Sequence, residues 1–126
     1  MKKLIALALV CTSSVLVVAL PANAQHTTTT VKVIAGKPSE FGFKLSTKTF
    51  KHGTVTFKVT NSGAIPHTFL VCSSSKGGSA NSCAGKGTPQ INAGQTVTLK
   101  ITFKTAGTYA YRCSIHPEMK GTVVVQ

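Results

Sequence analysis

Cys113-Ser114-Ile115-His116-Pro117-Glu118-Met119 sets a thiol, an imidazole and a thioether at the spacing Cys-x2-His-x2-Met. The run lies between two strand-like segments, Tyr109-Ala110-Tyr111 before it and Thr122-Val123-Val124-Val125 after it. The fold must therefore present three donors on a tight loop at the end of a β-sheet. Sulfur and imidazole donors suit copper and suit calcium or magnesium poorly. Three donors leave the site incomplete, so the rest of the chain must supply a second imidazole and a rigid frame.

The frame reads as β throughout. Val31-Lys32-Val33-Ile34 is β-branched, and Gly36-Lys37-Pro38 breaks it. Phe41-Gly42-Phe43-Lys44-Leu45 alternates like a half-buried strand. Val55, Phe57 and Val59 fall on one face with Lys58 on the other. Ile65 to Cys72 reads as a strand entered through Pro66, and the Ser/Gly-rich residues 73–87 read as a loop. Val97, Leu99, Ile101 and Phe103 share a face, as do Tyr109, Tyr111 and Cys113. About seven or eight short strands with no helical period predict an all-β, antiparallel sandwich or barrel.

The first residues read as an export signal. Met1-Lys2-Lys3 precedes an apolar run from Leu4 to Leu20, and Pro21-Ala22-Asn23-Ala24 offers a small-x-small cleavage site. Cleavage after Ala24 leaves residues 25–126 as one domain. The rival is an uncleaved anchor, since the run approaches the roughly 18 residues that span a bilayer. Lipidation of Cys11 fits poorly, because it sits mid-run. No second apolar run follows, so no transmembrane segment is expected after cleavage. The chain is expected to be secreted across the inner membrane and to work in the periplasm or outside the cell.

Without Lys2 and Lys3, twelve basic residues face Glu40 and Glu118, a net charge of +10. Such a field draws acidic partners at salt-sensitive rates. Nucleic acid is not expected. The lysines are scattered, and aromatics do not interleave with them as stacking on single strands requires.

Three cysteines remain after the signal, an odd number in an exported protein. Pairing Cys72 with Cys83 is favoured because it leaves Cys113 as a thiolate. The disulfide would stabilise the fold by roughly 3 kcal/mol in the chain-entropy model. The alternative pairs Cys113 with one of the others and destroys the site.

Of the histidines, His26 lies in a polar lead-in and His52 in a turn, where both read as solvated. His67 follows Pro66 at a strand start, after a glycine-containing turn. Alone it could be a satisfied strand-end histidine; beside Cys-x2-His-x2-Met it is the candidate fourth ligand. One thiolate, two imidazoles and a weak axial thioether serve both Cu(I) and Cu(II). His67, Cys113 and His116 are assigned as strong ligands to one copper ion, and Met119 as the axial ligand. Zinc is the rival, but it has little use for a thioether, and paired Cys-x2-Cys is absent. Around the ligands, Thr68 and Ser114 are candidates to tie the two segments together. Pro117 stiffens the loop, and the Pro66 carbonyl is a candidate to face the metal opposite Met119.

Asn61-Ser62-Gly63-Ala64-Ile65-Pro66-His67-Thr68-Phe69 and Gly107 to Gly121 together resemble the cupredoxins, the small blue copper proteins. The resemblance spans nearly all of residues 31–126. It implies a Greek-key β-sandwich, a mononuclear type 1 copper and one-electron transfer between larger redox proteins. The two-residue gap between His116 and Met119 is similar to amicyanin; plastocyanin has a longer one. Thr68 stands where many members carry Asn, Arg112 stands where plastocyanin has a tyrosine, and the Cys72/Cys83 pair is not an amicyanin feature. The exposed edge of His116, framed by Ile115, Pro117, Ala64 and Ile65, is the expected electron port. The resemblance points to a monomeric carrier with acidic redox partners rather than an enzyme, since only His26 and His52 remain for further copper sites. The alternative is a protein that stores copper or delivers it to another cuproprotein.

Overall fold

The computed structural model describes residues 28–75 and 83–126. The leader at residues 1–24 with Cys11, His26, and residues 76–82 of the Ser/Gly-rich segment lie outside the described residues. Among the described residues there is no helix, and nine strands form two sheets. The strands are β1 (Thr29–Ala35), β2 (Phe43–Leu45), β3 (Thr49–Phe50), β4 (Gly53–Asn61), β5 (Leu70–Cys72), β6 (Gly85–Gly87), β7 (Thr96–Phe103), β8 (Gly107–Arg112) and β9 (Lys120–Val125).

One sheet has the order β2-β1-β4-β7 and the other β3-β9-β8-β5-β6. Their inner faces meet in one core. Val31, Val33, Val55, Phe57, Val59, Leu99 and Phe103 come from the first sheet, and Phe50, Val71, Tyr109, Tyr111, Val123 and Val125 from the second. The period-two pattern explains this directly, since alternate residues share a face. Lys32 and Lys58 point outward between buried neighbours, and Lys100 points outward between buried Leu99 and half-buried Ile101. Phe57 is fully buried, with its ring 5.4 Å from Phe69 and 6.0 Å from Phe50. The result is the expected cupredoxin-type β-sandwich.

The sheets depart from the expected antiparallel pattern in two places. β1 runs parallel to β4, from Thr29↔Val55 to Ala35↔Asn61, and β3 runs parallel to β9. Between β1 and β4 the chain makes β2 in one sheet and β3 in the other. It therefore returns to the first sheet running the same way as β1, as a parallel pair requires.

Three boundaries also differ. Strand pairing begins at Phe43 rather than Phe41. The strand expected over Ile65–Cys72 is reduced to Leu70–Cys72, preceded by a single bridge between His67 and Ile91. Pro66 has no amide hydrogen, the Thr68 amide donates to the Cys113 sulfur, and the Phe69 amide donates to Thr88 Oγ1, so no ladder can form there. Gly85–Gly87 of the expected loop pairs with β5 instead. The disulfide links Cys72 of β5 to Cys83, two residues before β6, with Cα atoms 5.5 Å apart, and Cys113 is free and buried.

Candidate metal centre

His67 is placed by a buried polar knot at the end of β4. The side-chain amide of Asn61 donates to the carbonyls of Ile65 and Ile91, at 2.8 Å each, and its oxygen accepts from the Gly63 amide at 2.8 Å. Asn61 is fully buried, and a buried amide without these partners would be costly. Ile91 and His67 then exchange backbone hydrogen bonds of 3.1 and 2.8 Å. Gly36, at φ 78°, lies against the backbone of Gly63, where a Cβ would collide. The turn after β1 is thus locked to the turn after β4.

The second segment follows β8. The Cys113 amide donates to the Met119 carbonyl at 2.8 Å, and the Met119 amide donates to the His116 carbonyl at 3.0 Å. These bonds close the loop on itself. Alternation along β8 carries Tyr109, Tyr111 and Cys113 inward, where all three are buried. Burial raises the Tyr111 phenol above its ordinary value.

The two segments converge. Ligand atoms of His67, Cys113 and His116 all lie within 4.8 Å of one another. The two Nδ1 atoms are 3.2 Å apart, and Cys113 Sγ is 3.6 Å from His116 Nδ1. Met119 is fully buried and packs with Cys113, Ala35 and Phe43. Thr68 and Ser114 link the segments: their hydroxyls are 2.7 Å apart, and the Ser114 amide donates to Thr68 Oγ1 at 2.8 Å. The Thr68 amide donates to Cys113 Sγ at 3.4 Å. Pro66 and Pro117 are exposed at the rim. His52, in contrast, is exposed, with Nδ1 3.0 Å from the Gln126 carbonyl.

Two residues here escaped the sequence reading. Glu40 Oε1 lies 3.0 Å from His67 Nε2, and its carboxylate accepts the amides of Ala64 and Ile65. The Ala64 amide, the His67 ring and the Ile65 amide hold the Glu40 carboxyl below the ordinary carboxylate range. Phe41 meets the His116 ring edge-on, with centroids 5.2 Å apart. The available signal was weak. Glu40 is one of only two acidic residues in a basic chain, and Phe41 looked like part of a strand.

A family model described as a cupredoxin-like domain matches residues 4–125. The chain belongs to this cupredoxin-like family. Among solved structures, the cupredoxin is similar to auracyanin A, a "blue" copper protein from Chloroflexus aurantiacus. That match has 27% identity and a TM-score of 0.62, and covers 77% of this chain and 98% of the other. An amicyanin variant in the Cu(I) form has 28% identity and a TM-score of 0.52, with 77% and 82% covered. Rusticyanin from Thiobacillus ferrooxidans shares the fold at 22% identity, with a TM-score of 0.61 and 79% and 77% covered. Comparison with curated proteins gives no match. The cupredoxin's two imidazole nitrogens, buried free thiol and neighbouring buried thioether form a donor set that fits a thiophilic ion such as copper. Among the described residues, no helix is long and apolar enough to cross a membrane.

Proposed function

We propose that this cupredoxin is an exported, monomeric one-electron carrier rather than an enzyme, and that it holds one type 1 copper ion. The observation that carries the reading is the convergence of His67 Nδ1, His116 Nδ1 and Cys113 Sγ from two separate chain segments. These three would be the strong ligands to copper, and the Met119 thioether would be the weaker fourth donor. Copper, when bound, supplies the Cu(II)/Cu(I) couple. The chain's own contribution is a site that changes little between the two states.

His67 is fully buried and cross-bonded to Ile91 through its backbone. Cys113 is buried, receives the Thr68 amide and is excluded from pairing by the Cys72–Cys83 disulfide. The loop bonds between Cys113, His116 and Met119 limit the freedom of the second imidazole. Around half-buried His116, Phe41 and Ile115 are each 45% exposed, which makes an apolar rim of the kind that docks a redox partner. The net charge of +10 on residues 25–126 favours partners with acidic surfaces. Residues 1–24 serve as the export signal, which puts the carrier in the periplasm or outside the cell.

Electron self-exchange of the copper-loaded protein, measured beside copper release to a chelator, tests the role. The carrier predicts fast exchange and slow release. Slow exchange with rapid Cu(I) hand-over to an acceptor would instead mark a copper-delivery protein.

A further inference from the structure

Glu40 and Phe41 are neighbours in the turn between β1 and β2, and each touches a different imidazole of the site. We propose that this dipeptide is a positioning brace for the metal centre, with Glu40 fixing the ring of His67 and Phe41 restricting that of His116. The inference rests on the copper reading above and adds residues that lie outside both ligand segments.

The geometry carries it in three steps. First, His67 is 0% exposed, so water cannot serve its outer nitrogen, and Glu40 Oε1 at 3.0 Å is the partner that does. A carboxylate only accepts, so the ring proton sits on Nε2 and the Nδ1 lone pair faces Cys113 and His116. Second, Glu40 is itself held. Its two oxygens accept the Ala64 amide at 3.0 Å, and Oε1 accepts the Ile65 amide at 3.3 Å. These amides belong to the turn that delivers His67, so one carboxylate fixes both the ring and its backbone. The space it uses exists because residue 63 is glycine; a Cβ there would run into the Glu40 carboxylate and the His67 ring. Third, the turn is closed by the Gly36 amide on the Gly42 carbonyl at 2.9 Å and the Gly42 amide on the Ser39 carbonyl at 3.0 Å. That closure places Phe41 edge-on to His116, at an interplanar angle of 66°.

The test combines nitrogen NMR of the metal-free protein with copper titration and potentiometry of the loaded one. In the wild type, the His67 ring is expected as a single Nε2–H tautomer. Glu40→Ala is expected to lose that single tautomer, to weaken Cu(II) binding about 10–100-fold and to raise the reduction potential. Glu40→Gln keeps the shape and an amide-accepting oxygen. It should fold and retain the tautomer while the potential still rises, which separates charge from placement. Phe41→Ala should leave the His67 tautomer intact and broaden the His116 ring resonances. A wild type lacking the thiolate–copper absorption overturns the copper reading and the brace together. A blue wild type whose Glu40 variants match it in tautomer, affinity and potential overturns the brace alone. If Glu40→Ala does not fold, a wild type whose His67 ring shows a mixture of tautomers overturns it.

Discussion

His67 and His116 bring chemically identical rings to one site from opposite structural circumstances. His67 is fully buried, bonded through its backbone to Ile91 and through its ring to Glu40. His116 is half-buried on a loop, and its ring contacts are Phe41, His67 and the Cys113 sulfur. The first ring is an anchor whose position the β-sandwich dictates. The second is the site's opening to the surface. The proposed electron carrier would use both: a frame that resists rearrangement and one ring near enough to solvent to couple to a partner.

The largest effect should come from removing the rings one at a time. His116→Gly should lose the coloured copper site and regain it with added imidazole, because the vacated space reaches solvent. His67→Gly should lose the site and resist rescue, since no path leads to a fully buried ring. It should also lose on the order of 3 kcal/mol of stability through the cavity it leaves. Visible titrations with imidazole and denaturant unfolding read both, and equal rescue of the two variants would break the contrast.

Replacing Cys72 and Cys83 together by alanine should lower stability by roughly 3 kcal/mol while leaving the copper spectrum unchanged. The disulfide links Cys72 of β5 to Cys83 just before β6, and neither cysteine is one of the proposed ligands. A bleached spectrum would show that the frame around the site is less independent than described.

Thr68→Val sharpens the contrast on the sulfur side. It removes the acceptor of the Ser114 amide and the hydroxyl pair between segments. An expected cost of about 1–3 kcal/mol should appear in denaturant unfolding, with the His67 ring unmoved. Phe41→Ala should be the smallest, about 0.5–1.5 kcal/mol as for a single aromatic contact. It should change electron self-exchange more than stability, because Phe41 stands at the rim of His116.

Much of the frame was legible because its information is local. Period-two alternation in β4, β7 and β8 marked the inner faces, and Cys-x2-His-x2-Met is seven consecutive residues. His67 was legible from Pro66 beside it, and the Thr68–Ser114 link from their adjacency to ligands. What escaped depends on contacts between distant residues. Glu40 lies 27 positions from His67, and nothing in its neighbourhood marks a carboxylate meant for an imidazole. Phe41 shares the parity of Phe43 and Leu45, so alternation assigned it to a strand that begins two residues later. The parallel ladders of β1 with β4 and β3 with β9 leave no local pattern, because pairing direction is set by how the chain crosses between sheets. The bridge at His67 replaces a longer strand because amides there serve a sulfur and a hydroxyl instead.

Cys113, His67, His116 and Met119 are proposed to hold type 1 copper together. The most direct test is the visible and EPR spectrum of the protein loaded with Cu(II), taken beside Cys113→Ser. The predicted result is an intense thiolate-to-copper band towards the red end of the visible range in the wild type and its absence in the variant. A colourless Cu(II) complex of the wild type, or a band that survives in Cys113→Ser, would contradict it.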